Sequence, residues 1–142
     1  MSDEAISRVL ALLLDAGGPD VILIGRLPAH YLVHWSRRAT DDIVITRDRR
    51  DHYLTNHPEM ETFERDLVRT LLDPDAVFAL SDDAYTAAVC ARQDARHDVV
   101  AIIRISTTRP LQNSVITARR QRQARRGKPS HRNQLVWLKE EK

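Results

Sequence analysis

Apolar positions recur at two periods along this chain, and the change of period divides it. From residue 3 to 15 they follow helical spacing: Ile6, Val9, Leu10, Leu13 and Leu14 fall on one face, Ser2 can cap the start, and Gly17-Gly18 ends the run. Val21–Ile24 and Ile43–Ile45 are short β-type runs. Thr46 can cap a turn or short helix over 47–55, which breaks at Asn56-His57-Pro58. Pro58 followed by Glu59 is a helix start. Met60, Phe63, Leu67 and Leu71 recur at helical spacing until Asp73-Pro74-Asp75 stops them, which predicts the strongest helix in the chain.

From Ala76 onward the pattern is β. Strands are predicted over 76–80, 85–92, 97–106, 114–120 and 135–138, with turns at Ser81-Asp82-Asp83, 93–96 and Arg109-Pro110. Val99, Ala101, Ile103 and Ile105 share one face of the third run. The other face stays apolar until Arg104, which marks a central strand covered on both sides. Helices followed by a meander of strands give an α+β fold with a four- to five-stranded antiparallel sheet on which the helices can pack. The segment 26–38 reads two ways. Tyr31, Val33 and Trp35 alternate as in a strand, whereas His30 and His34 share a face if it is helical. A metal would need further ligands, and none stands out, so a packing segment or partner surface is expected.

At 142 residues the chain suits one domain. Charge adds an asymmetry that the net +2 conceals. Residues 1–103 carry 11 Lys and Arg against 18 Asp and Glu, and residues 104–142 carry 11 against 2. A basic terminal third is the footprint of a polyanion partner. The 121–134 stretch contains no core residue and reads as a mobile basic loop. Cys90 is the sole cysteine, so no intramolecular disulfide can form, which fits a reducing compartment. The first residues lack the basic head of a signal peptide, and their apolar run is too short to span a bilayer. A cytoplasmic protein that avoids membranes is expected.

The order Ile45-Thr46, His52, His57-Pro58-Glu59, then a helix ending Leu71-Leu72-x-Pro74-Asp75-x-Val77, then hydrophobic strands and a late Ser114-Val115-Ile116-Thr117, resembles a known nuclease group. It is the phage-encoded branch (PBECR) of the barnase–EndoU–colicin–RelE-like (BECR) fold. The resemblance covers roughly 43–138 and leaves 1–42 as an N-terminal extension to a nuclease domain over 43–142 with a basic loop over 119–132. It implies a small metal-independent endoribonuclease, used as a toxin or effector. RNA is the implied partner, with a neutralising antitoxin or phage protein beside it, and no cofactor is implied.

Cleaving RNA without metal needs a base for the 2′-hydroxyl, an acid for the leaving oxygen and a cation for the phosphorane. Histidine suits the first two tasks because it titrates near neutrality. Arginine suits the third. His52 and His57 are the expected acid and base, turned toward one cleft by the kink between them. Arg104 would bind the phosphate, with Ser114 and Thr117 positioning it. Arg119, Arg120, Arg122, Arg125, Arg126, Lys128 and Arg132 could track a phosphate backbone. Trp137, or Tyr85, could stack a base. The alternatives are a non-catalytic RNA- or ribosome-binding module of the same fold, or an interaction protein of a phage or mobile element. His52, Arg104 and Thr117 lining one cleft would favour the enzyme; Arg104 pointing away from both histidines would favour the binding module.

Overall fold

The computed structural model describes residues 3–80, 85–109, 111–122 and 133–139. Helix α1 spans Asp3–Leu14 and leads through Gly17-Gly18 into β1, Val21–Arg26. A one-turn helix α2, Ala29–Leu32, opens the crossing to β2, Asp42–Thr46. Helix α3, Arg47–Asn56, is followed by a 3-10 turn over Pro58–Glu61 and by α4, Glu64–Leu72. The remaining strands are β3 Ala76–Leu80, β4 Thr86–Arg92, β5 His97–Arg104, β6 Asn113–Arg122 and β7 Asn133–Leu138.

The fold is α+β, but its sheet has seven strands rather than four or five, in the order β1-β2-β6-β5-β4-β3-β7. The meander β3-β4-β5-β6 is antiparallel as expected. The two additional strands are the short β-type runs before the meander, which join the same sheet. The β1-β2 hairpin joins through β2, which lies parallel to β6 by Ile43↔Asn113 and Val44↔Ser114. The closing strand β7 pairs with β3 at the opposite edge. Such docking joins elements distant in sequence, and periodicity cannot reveal it.

One face of the sheet is covered by the helices. Ile43, Ile45, Val77, Val89, Val99, Ala101, Ile103, Ile105, Val115 and Ala118 join Leu13, Tyr53, Leu67, Val68 and Leu71 in one core. The other face carries a smaller cluster built from strand residues alone: Ala76, Ala88, Cys90 and Val100, flanked by Phe78, Leu80 and Ile102. The two faces explain why β5 is apolar on both sides.

The predicted helix over 58–72 is divided. Phe63 leaves helical geometry at φ −112°, ψ 21°, and the N–H of Thr62 closes onto the carbonyls of Glu59 and Met60. The two pieces still bury Met60, Leu67 and Leu71, so the apolar spacing holds while the backbone does not run straight through. Arg50 and Tyr53 of α3 reach Glu64 at the start of α4. The guanidinium donates to the carboxylate at 2.8 and 2.7 Å and the phenol donates at 2.6 Å. Burial and the adjoining carboxylate push the Tyr53 phenol far above its ordinary pKa.

Segment 26–38 adopts the packing role. Tyr31, Leu32 and Trp35 are buried. The connection stays attached to the sheet end through Leu27 N–H to the Asp41 carbonyl and Ala39 N–H to the Ser106 carbonyl. Residues 1–42 therefore contribute one edge of the sheet and part of its core. Arg47 fixes the first turn after α1. Its guanidinium donates to the carbonyls of Leu12, Leu13 and Pro19, each at 2.9 Å. Those of Leu12 and Leu13 are carbonyls of the last turn of α1, where a cation is also favoured by the helix dipole. A Cβ on Gly18 would lie 2.8 Å from that guanidinium, which explains glycine there. No described helix is long and apolar enough to cross a membrane.

Candidate nucleic-acid interface

Arg104 ends β5. It alternates with Ile103 and Ile105, which belong to the core beneath the helices, so its side chain projects to the helix-free face. Its register partners there are Ser114 on β6 and Thr86 on β4. Thr117 lies on the same face, opposite Ile102, after a bulge that absorbs Ile116. The expected phosphate-binding group of Arg104, Ser114 and Thr117 is thus brought onto one surface. The Arg104 side chain is exposed and forms no hydrogen bond or ion pair with a described residue.

Two adjoining pockets meet at Arg104. One, about 450 Å³, is walled by Val21, Val44, Ile105 and Leu111, with Thr46, Thr108 and Ser114 supplying hydroxyls. The second, about 540 Å³, is formed by Arg37, Tyr85, Arg104, Ile105 and Thr107. Arg37 is also without a described partner. Among the described residues, neither pocket has a carboxylate in its lining. Two guanidiniums without a described counter-charge, beside hydroxyls, form a place for an anion with several oxygens.

The loop forming the floor is held by Asn113, which is fully buried. Its Oδ1 accepts the Ser106 N–H at 2.8 Å, and its Nδ2 donates to the Thr40 carbonyl at 2.8 Å. This residue ties the strand carrying Ser114 to both chain segments that bound the pockets. The only sign of this in the sequence is a polar Asn at the start of an apolar strand. Arg37 carries no such sign, because only the crossing from β1 to β2 brings it to Arg104.

The histidines lie elsewhere. His52 is on α3 and His57 at its C-terminus, in the helical layer, so the sheet separates that layer from the face of Arg104. The expected single cleft uniting His52, His57 and Arg104 does not form. The reason is alternation: β5 must bury Ile103 and Ile105 under the helices, which sends Arg104 the opposite way. His52 is exposed, with Nε2 3.1 Å from Asn56 Nδ2 one helical turn on. His57 serves the backbone. Its N–H donates to the Tyr53 carbonyl and its own carbonyl accepts from Met60 N–H, while Nδ1 stands 3.9 Å from a Glu59 oxygen.

The basic residues also separate. Arg119 lies on the helix-free face opposite Val100, donating to Gln121 at 3.2 Å. Arg120 faces the helices instead. It bonds Gln93 and, at 2.6 Å, Asp94, and its guanidinium stacks 4.9 Å from the Phe63 ring centre. The Arg96 N–H, with help from Arg120, holds the Asp94 carboxyl well below the usual carboxylate range. Arg120 is therefore engaged as a structural tie on the helical side of the sheet. Arg122 is exposed at the end of β6. Arg125, Arg126, Lys128 and Arg132 lie outside the described residues. Trp137 packs with His30, ring centres 4.5 Å apart, and with Tyr31 at 6.3 Å, so it joins the core rather than offering a free stacking platform. Tyr85, the other aromatic considered for stacking, lines the pocket of Arg37 and Arg104.

Comparison with protein-family models, with curated proteins and with solved structures finds no match for this chain.

Proposed function

We propose that this protein is an RNA-binding module that grips phosphate groups on the helix-free face of its sheet. The observation that carries the reading is the pair of Arg37 and Arg104, both without a described partner, in one pocket with no carboxylate among its described lining residues. Tyr85 offers a ring in that pocket, and Ser114 and Thr107 offer hydroxyl donors beside Arg104. Arg119 extends the positive surface along β6 on the same face. The helical layer on one side and the uncovered strands on the other support a nuclease-like architecture of the BECR type. The separation of both histidines from Arg104 supports binding over histidine acid/base catalysis.

Titration of a fluorescent single-stranded RNA at several salt concentrations tests this. Affinity should fall with salt, with a log–log slope of roughly −0.7 per phosphate contacted. Arg37→Ala and Arg104→Ala should each lower affinity about tenfold and flatten the slope, in keeping with loss of a charge-assisted contact. Salt-independent binding, or unchanged affinity in both variants, would sink the proposal. RNA left intact after long incubation in EDTA is expected. Cleavage there to cyclic-phosphate ends would restore the endoribonuclease reading, and His52→Ala would then be the next test.

A further inference from the structure

We propose that this protein forms a two-fold dimer in which β1 of one copy pairs antiparallel with β1 of the other. Strand β1 stands at the end of the sheet and, among the described residues, pairs only with β2, so its outer row of N–H and C=O groups has no described strand partner. Such a row is a template for another strand.

The edge carries little of the usual protection. Its residues Val21–Ile24 are all apolar, without lysine or an inward charge. Val21 and Leu23 are 50% and 55% exposed on the side that also holds Val44. A bulge does occur, but between Leu23 and Gly25, which leaves Val21–Leu23 in regular pairing. On the other side of the sheet Leu12 is 44% exposed. It lies roughly 140° around α1, at ~100° per residue, from Ser7, the residue that bonds Arg65 of α4. Leu12 is thus turned away from α4, with the exposed Arg8–Glu4 pair one turn before it.

Charge selects the occupant and its direction. The strand has Asp20 at one end and Arg26 at the other. A parallel neighbour of the same sequence would set like charges side by side. An antiparallel copy centred on Ile22 sets Val21 opposite Leu23 of the second copy. It also brings Asp20 diagonal to Arg26 of that copy, within reach of a long side chain. Arg26 keeps its exposed contact with Asp41 at 3.4 Å and has donors to spare. The Asp20 carboxylate has no described partner. A two-fold axis normal to the sheet satisfies both copies with one surface. It also leaves both Arg104 pockets on the same side of a continuous sheet.

Sedimentation of the full chain over a wide concentration range tests the dimer. The expected result is a concentration-dependent rise to twice the mass of one chain. Leu23→Lys, a change at an exposed position, should give a single-chain mass with an unchanged melting curve. Asp20→Arg and Arg26→Asp should each be monomeric alone. Mixed together they should regain a heterodimer, because each charge then meets its opposite. Wild-type protein that remains a single chain at every concentration overturns the proposal. So does a dimer that persists in Leu23→Lys, or a charge-swapped pair that shows no preference for each other.

Discussion

Arg50 of α3 and Glu64 of α4 form a two-pronged ion pair at 2.8 and 2.7 Å, with the Glu64 side chain only 3% exposed. The pair closes the angle between the two helices that bracket the His57-Pro58 break. Tyr53 completes the shell of the carboxylate from within the core. Removing one member leaves the other partly buried without its counter-charge. Glu64→Ala should therefore destabilise the fold by about 3 kcal/mol, measured by urea unfolding. Glu64→Gln should cost less, because it still accepts from Arg50 and Tyr53. Equal stability of all three proteins would show that the pair does not hold α3 on α4.

Asn113→Ala should cost about 2 kcal/mol, because the Ser106 N–H and the Thr40 carbonyl lose their side-chain partner in a buried setting. The same change should loosen the floor of the Arg104 pockets. Hydrogen exchange at Ser106 should accelerate much more than at Val99, in the middle of the sheet. Equal acceleration at both positions would mean that Asn113 acts on global stability alone.

Acid should weaken the strap between β1 and β2. The Arg38 side chain, bonding Asp41 at 2.6 Å, holds the Asp41 carboxyl below its ordinary pKa against the opposing effect of burial, and Arg26 assists. The folded value lies below the unfolded one. The stabilisation is therefore fully present above the unfolded aspartate range, about pH 4, and is lost as pH falls through the folded value. Asp41→Asn should flatten the acid limb of a stability–pH profile and lower stability at neutral pH. A profile parallel to wild type would remove Asp41 from the acid response.

His52→Ala should leave RNA affinity within twofold and stability within about 0.5 kcal/mol, because the ring is exposed and, among the described residues, bonds only Asn56. Arg120→Ala should do the reverse of Arg104→Ala. It should lower the melting temperature through loss of its Asp94 and Phe63 contacts while leaving RNA affinity nearly unchanged. Parallel melting and RNA-titration curves for the three variants check both expectations. A large loss of affinity in His52→Ala would place RNA on the helical side of the sheet.

The local signals in this chain were strong where a short segment decides its own conformation. Thr46 caps α3, accepting from Arg49 N–H, as its residue type suggested. The break at His57-Pro58 was equally legible, because proline has no N–H to continue a helix. Even so, Phe63 could not be foreseen as a second interruption, since Met60, Phe63 and Leu67 keep helical spacing on either side of it. Arg104 stood out as a charge in an apolar strand. Which way it faced followed only from the burial of Ile103 and Ile105 under the helices.

The sequence by itself determined the elements of this protein, the α+β class, the central place of β5 and the polarity of the chain, because periodicity, caps and turns are properties of neighbours. Tertiary structure alone decided that β2 lies parallel to β6, that β7 closes on β3, that Arg37 meets Arg104 and that Arg120 is spent on Asp94. It also set His52 and His57 on the other side of the sheet from Arg104. Those outcomes depend on which face each strand buries and which distant segments dock, and one-residue alternation converts that choice into opposite surfaces.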